Sequence, residues 1–357
     1  MTAGADPSAE RAAVSGEPGM ATSSATLDAP RATRRAHSRT MSAAVLRAPR
    51  TVELDEVALP EPAPGQVRVR LEGCGVCGSN LPPWEGREWF QYPFAPGAPG
   101  HEGWGCVDAI GSGVSGFAVG ERVAMISERA YAEYDVAPAT SLVRLPASLD
   151  SMPFPAEPLG CAMNVFRRSD IRAGQDVVVI GIGFLGALLT ELAVKAGARV
   201  IAVSRRPFAL DVARQLGAAA TVPMDDHWRI IERVKALTGG EGSERVIEVI
   251  GSQWPLDLAG ELTRVRGRLV IAGYHQDGPR QVNMQLWNWR GLDVINAHER
   301  DPEIYLEGMR AAAEAVAAGT LDPRPLYTHT LPLGRLGDAM QLMHDRPDGF
   351  LKALVTA

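Results

Sequence analysis

One stretch of this chain restricts its architecture more than any other. Val177-Val178-Val179-Ile180 runs directly into Gly181-Ile182-Gly183-Phe184-Leu185-Gly186, and an apolar segment continues to about Ala196. A short continuous run of apolar β-formers reads as a strand buried on both faces, the kind found in parallel sheets. The glycines after it have separate tasks: Gly181 permits a tight turn, Gly183 lets the backbone approach a pyrophosphate at a helix N-terminus, and Gly186 allows close helix-on-strand packing. Strands over 199–203, near Thr221, over 245–250 and over 268–272, with helices over 208–216 and about 227–237, extend the alternation. The expectation is a βαβ series with a parallel sheet that binds a dinucleotide.

The end of the second strand bears on which dinucleotide. A carboxylate there accepts hydrogen bonds from the adenine ribose hydroxyls, but this chain reads Ala202-Val203-Ser204-Arg205-Arg206. A small hydroxyl followed by two guanidinium groups suits a 2'-phosphate, through charge-assisted hydrogen bonds of roughly 1.5 to 3 kcal/mol each. The cofactor expected is NADP(H) in preference to NAD(H), held by Gly181, Gly183, Phe184, Leu185, Gly186, Ser204, Arg205 and Arg206. Two solvated arginines at a helix start would also explain Arg205 and Arg206, but would not restore the missing acid.

The flanks differ from this unit. From Val52 to about Asp150 short β-like runs (66–71, 122–126, 132–136) alternate with Pro- and Gly-rich turns, which reads as an all-β unit with irregular loops. A helical pattern covers 157–168. From Glu303 onward the sequence predicts an Ala-rich helix, an extended stretch over 323–333, a second helix and a last strand over 351–355. Residues 1–40 are Ala, Ser, Thr, Pro, Gly and Arg without apolar periodicity, a disordered tail by composition. Met41 opens the patterned sequence and is a candidate for the true start. No signal peptide or organellar transit peptide is expected, because no apolar core follows a charged start and Asp6, Glu10, Glu17 and Asp28 interrupt the tail.

With 357 residues the chain has room for two domains, and 46% hydrophobic with 22% charged residues is a globular composition. A formal net charge of -6 offers no general attraction to phosphate backbones, so nucleic acid is not an expected partner. Apolar stretches fall short of the roughly 20 residues of a membrane-spanning helix. Four irregularly spaced cysteines do not make a disulfide framework, which points to a reducing, cytoplasmic setting and to another task for at least one thiol.

Three motifs remain: Gly73-Cys74-Gly75-Val76-Cys77-Gly78-Ser79-Asn80, Pro99-Gly100-His101-Glu102-Gly103 and Glu157-Pro158-Leu159-Gly160-Cys161. Each alone is ambiguous, since Cys74 and Cys77 have no second C-x-x-C to complete a zinc knuckle. In this order, ahead of the dinucleotide unit, they resemble the zinc-dependent medium-chain dehydrogenase/reductase family, from Met41 to Ala357 and most of all its polyol-dehydrogenase-like branch. The resemblance implies an α/β protein with a GroES-like β-rich catalytic domain over 41–157, completed by 298–357, and a Rossmann doubly wound parallel-sheet domain over 158–297. It implies Cys77, His101 and Glu157 as ligands of one catalytic zinc, with Glu102 a carboxylate close to the metal. Ser79 matches the residue that hydrogen-bonds the substrate oxygen and begins the proton path. Three protein ligands plus one open position is what a catalytic zinc requires. The implied reaction is hydride transfer between NADP(H) and a secondary alcohol or ketone, a polyol, cyclitol or sugar-derived compound, the metal lowering the alcohol pKa from about 16 towards 7.

Three departures from the family pattern matter. The four-cysteine lobe of a structural zinc has no counterpart, because Gly120-Glu121-Arg122-Val123 leads almost at once to Tyr131. Asn80 stands where a carboxylate that orients the ligand imidazole is usual. Pro82 and Pro83 replace a relay histidine, which routes protons from Ser79 through the cofactor ribose or water. Trp84, Trp89, Phe90, Tyr92 and Trp104 are candidates to wall the substrate, and Asn164, His275 and Glu299 to contact its hydroxyls; packing explains any one of the aromatics equally well. The competing readings are a metal-free quinone or alkene reductase of the same fold and a non-catalytic NADPH-binding protein. A homodimer or homotetramer through the sheet edge near 292–295 is expected.

Overall fold

The computed structural model describes residues 40–357, so the expected disorder of the tail and the question of the start at Met41 lie outside the described residues, except that Thr40 opens the strand Thr40–Ala48. Val177 to Ile180 have no solvent exposure. They form the strand Asp176–Ile180 inside a six-stranded sheet. From edge to edge its strands are Ala220–Pro223, Arg199–Ser204, Asp176–Ile180, Ser243–Glu248, Thr263–Ile271 and Asp293–Asn296, and every neighbouring pair is parallel. Numbered along the chain this is the order 3-2-1-4-5-6, whose reversal beside the first strand opens a crevice at the strands' carboxyl ends. The helix Phe184–Lys195 begins there. Gly181 has φ +101°, and a Cβ on it would lie 2.4 Å from Ile250 Cγ1. A Cβ on Gly186 would lie 2.0 Å from the Gly181 carbonyl oxygen, which is the close helix-strand approach read from the sequence.

Two helices in this lobe escape the sequence pattern. Gln253–Leu262 buries Pro255, Leu256, Leu258, Ala259, Gly260 and Leu262, too wide an arc for a one-sided periodicity, and Met284–Arg290 buries no residue fully.

The remaining elements build a seven-stranded sheet. Its main path runs Tyr327–Pro332, Lys352–Thr356, Gln66–Gly75, Gly103–Ile110, Arg122–Met125 and Leu142–Arg144, with Tyr134–Pro138 also paired to Gln66–Gly75. The last strand of the chain thus sits against the strand that leads to Cys74, with Leu354 opposite Gly75 and Val355 opposite Cys74. Thr40–Ala48 and Thr51–Ala58 make a separate antiparallel hairpin. The helix Ala156–Ser169 joins the two sheets: its buried residues belong to a core that includes Trp104, Ala124 and Val143 on one side and Val177, Leu188 and Val200 on the other. No helix among the described residues is long and apolar enough to cross a membrane.

Candidate metal and cofactor site

The strand Gln66–Gly75 delivers the chain into a short turn, Gly78–Asn80, capped by Cys77. Asn80 closes this turn. Its Oδ1 accepts from the Cys77 backbone N–H at 3.0 Å and from the Tyr131 hydroxyl at 2.8 Å, and its Nδ2 donates to the Pro99 carbonyl at 3.0 Å. The same carbonyl lies 2.9 Å from Nδ1 of His101 and accepts a hydrogen bond from its N–H. Asn80 thus acts on the imidazole through the Pro99 carbonyl rather than directly. That carbonyl orients the ring, and the amide at 80 both accepts from Cys77 and donates to the carbonyl, which an ionised carboxylate could not do.

With Nδ1 committed, His101 presents Nε2 to the site, 3.4 Å from Ser79 Oγ. Cys77, His101 and Glu102 each bring one ligand atom, all within 4.8 Å of one another. Glu157 is not in this group. Its Oε1 accepts from the Tyr305 hydroxyl and, at 3.4 Å, from the Cys161 thiol. Burial, together with Glu157 and Cys161, drives the Tyr305 hydroxyl far above the usual phenol range, so it remains a donor. The structure thus joins two of the expected ligands, Cys77 and His101, to Glu102, the carboxylate expected beside the metal, while Glu157 stays close enough to act on His101 electrostatically.

Glu102 is fully buried and paired with a residue the sequence reading passed over. Lys352 donates to Glu102 Oε1 at 2.7 Å, lies 2.5 Å from Oε2 and donates to the Val76 carbonyl at 3.0 Å. Burial opposes the Lys352 charge, but Glu102 and then Cys77 outweigh it and raise its pKa. A Cβ on Gly75 would lie 1.8 Å from Glu102 Oε2, so glycine at 75 makes room for the carboxylate. Lys352 had one visible sign: a lysine opening the otherwise apolar strand Lys352–Thr356, in which only Thr356 is not buried.

The donor set fits zinc in its chemistry: a thiol, an imidazole whose Nε2 faces the other two, and a buried carboxylate held by Lys352, with one ligand atom of each within 4.8 Å of the others. The cradle at the turn fits a dinucleotide as well, because a Cβ on Gly183 would enter open space whereas those on Gly181 and Gly186 would clash.

Electrostatics add a testable property. Burial lowers the His101 pKa, but the neighbouring Cys77 side chain, then Glu157 and Glu102, overcome it and raise it to about 10, against the usual 6.5. A raised folded-state pKa gives stability that is complete below about pH 6.5 and is lost as pH rises through about 10. Metal-depleted protein should therefore lose a few kcal/mol over that window, read as a falling urea midpoint. In zinc-loaded protein the fall should be largely abolished, since a metal on Nε2 excludes the proton. A level profile for the metal-depleted protein would contradict this arrangement.

At the adenosine end, Ser204 is buried and its Oγ accepts from the Arg206 N–H at 3.4 Å. Arg206 points its guanidinium away from solvent, donating to the Phe350 carbonyl and, at 3.3 Å, to the Ile182 carbonyl. In this arrangement Arg206 holds the turn against the C-terminal segment. Arg205 is exposed. Arg346 lies beside it: burial, then the nearby Arg205 charge, lowers the Arg346 pKa.

Several other candidates have structural tasks. Trp84 and Trp104 are core residues, and the Tyr92 hydroxyl donates to the Pro83 carbonyl. Trp89 and Phe90, ring centroids 6.0 Å apart, retain exposed surface. Asn164 donates to the Ile304 carbonyl, Glu299 accepts from the N–H groups of Arg300 and Asp301, and His275 is held between Glu248 and Arg280. Asn164 and His275 have both polar ends of their side chains engaged, whereas Glu299 uses only Oε1.

Comparison with known proteins follows the two lobes. Residues 63–147 match the alcohol dehydrogenase GroES-like domain family, and residues 185–314 match the zinc-binding dehydrogenase family. A sorbitol dehydrogenase of Halalkalibacterium halodurans is 30% identical over 68% of this chain and 80% of its own length. A 2-dehydro-3-deoxy-L-galactonate 5-dehydrogenase of Pseudoalteromonas atlantica is 28% identical over 82% of this chain and 92% of its own. Among solved structures, a zinc-binding dehydrogenase from Sinorhizobium meliloti bound to NADP superposes with a TM-score of 0.77 at 25% identity, covering 90% of this chain and all of that one.

Proposed function

The chain belongs to the zinc-type medium-chain dehydrogenase/reductase family, and from that premise we propose that it is a zinc- and NADP(H)-dependent dehydrogenase interconverting a secondary alcohol and its ketone. The observation that carries this reading is the convergence of Cys77, His101 and Glu102 within 4.8 Å. A metal-free reductase has no use for a thiol, an imidazole and a buried carboxylate in one place. Cys77, His101 and Glu102 would hold the metal, and Glu157, on the helix Ala156–Ser169 and kept in place by the Tyr305 hydroxyl, lies close enough to act on His101. The relatives' substrates, sorbitol and a sugar-acid derivative, support a polyol, cyclitol or sugar-derived substrate. Four free cysteines, one of them a metal ligand, suit the reducing cytoplasm.

Zinc bound here supplies a Lewis acid that polarises the substrate oxygen and eases loss of its proton. The protein's own groups do the rest. The Pro99 carbonyl fixes the His101 ring so that Nε2 keeps its direction. Ser79 Oγ, released from its 3.4 Å contact once Nε2 is engaged, takes the substrate hydroxyl proton into a hydrogen bond. Gly183 leaves the backbone open to the pyrophosphate, and Ser204 with Arg205 receives the 2'-phosphate.

Elemental analysis should find close to one zinc per chain, and a screen of secondary alcohols and ketones with NAD(H) and NADP(H) should find turnover by nicotinamide absorbance. Two zinc ions per chain, or none after supplementation, would overturn the assignment. For assembly, we propose a homodimer or homotetramer through the edge strand Asp293–Asn296, beside the helix that carries Trp289 (89% exposed) and Met284 (62% exposed). Light scattering at micromolar concentration should give at least twice the chain mass, and a monomer would refute it.

A further inference from the structure

Phe184 opens the helix Phe184–Lys195 at the turn built to receive a pyrophosphate, yet its ring is directed to the other lobe. It stacks on Tyr327, centroids 5.8 Å apart at 28°, and Lys352 Nζ lies over it at 5.1 Å from its centroid. That ammonium is the one paired with Glu102. A single buried cation therefore touches the metal-site carboxylate directly and the cofactor turn through an aromatic ring.

We infer that Lys352 and Phe184 couple metal binding to cofactor binding, each favouring the other. The inference rests on the zinc- and NADP(H)-dependent reading above. Its sign follows from charge. In the metal-depleted protein Lys352 and Glu102 neutralise each other. A divalent cation that engages Cys77 and Glu102 takes up the carboxylate's charge and leaves the ammonium with the Val76 carbonyl and the face of Phe184. A buried cation with only those partners favours an anion nearby, and the adjacent turn seats one. Linkage is reciprocal, so NADP(H) tightens metal binding by the same factor. Tyr327, whose buried hydroxyl has no hydrogen-bond partner, contributes its ring as the surface that fixes Phe184.

The test is a pair of titrations on the full chain. NADPH affinity is read from nicotinamide fluorescence in zinc-loaded and chelator-depleted protein, and zinc affinity by competition with a chromophoric chelator, with and without NADPH. Wild type should bind each ligand ~5- to 50-fold more tightly in the presence of the other. Phe184→Leu keeps apolar bulk without an aromatic face; it should bind both ligands with the factor reduced to about twofold or less. Lys352→Met carries the same expectation if Phe184→Leu does not fold. Wild type that binds both ligands independently overturns the coupling alone, as does undiminished coupling in the variants. Wild type that fails to bind zinc or NADPH overturns the underlying functional reading and the coupling with it.

Discussion

Cys77→Ala is expected to lower kcat/KM by roughly 1,000-fold or more, since a metal site is asked to supply several kcal/mol of transition-state stabilisation and each 1.4 kcal/mol or so is tenfold in rate. The purified variant should also lose its zinc. The loss is local: Cys77 caps a short turn, and that turn is held through its backbone N–H by Asn80, which the substitution leaves intact. Circular dichroism should be unchanged. Cys74→Ala is the control. Cys74 is fully buried with its thiol 3.4 Å from the Gly75 carbonyl, and burial raises its pKa well above the ordinary range, so it is a packing residue. It should cost about 1 kcal/mol of stability and keep the metal. Full zinc content and turnover in Cys77→Ala would exclude this centre.

Cofactor preference is the second large effect. An aspartate at 204 would accept from the ribose diol and repel a 2'-phosphate, while Arg205→Ala would remove the exposed countercharge. The wild type should prefer NADP(H) by roughly tenfold to a thousandfold in kcat/KM, the span of two charge-assisted bonds after desolvation. Ser204→Asp combined with Arg205→Ala should move that preference towards NAD(H), and added salt should weaken NADPH binding more than NADH binding. The structure separates the two arginines. Because Arg206 holds the Phe350 and Ile182 carbonyls, Arg206→Ala should affect binding of both nucleotides and stability, with little change in their ratio. Equal or better efficiency of wild type with NAD(H) would show that Arg205 serves solvent alone.

The doubly wound sheet was legible because its signals are local. Val177 to Ile180 are contiguous, and the glycine spacing follows them immediately. The candidate metal site was legible only in part. Cys77, His101 and Glu102 stand in short motifs, but the partners of each carboxylate lie far along the chain: Tyr305, 148 positions away, holds Glu157, and Lys352, 250 positions away, holds Glu102. Asn80 read only as a departure from the usual carboxylate because its role depends on the Pro99 carbonyl, which no residue type reveals. The hydroxyl-contact candidates show the same dependence on distant partners: Asn164 and His275 are engaged at both polar ends by backbone groups and charged side chains, and Glu299 at one oxygen.

The strand Lys352–Thr356 has a consequence for how the protein is made. Lys352 meets Val76 and Glu102 across 276 and 250 positions, and its strand supplies the neighbour of the strand bearing Cys74. While the ribosome is still reading, the β-rich lobe lacks that neighbour and Glu102 lacks its counter-ion. The six strands of the parallel sheet, all encoded between Asp176 and Asn296, are free to pair first. The surroundings of Glu102 are therefore completed only when the segment 352–356 has paired, by which point the parallel sheet has had all six of its strands available.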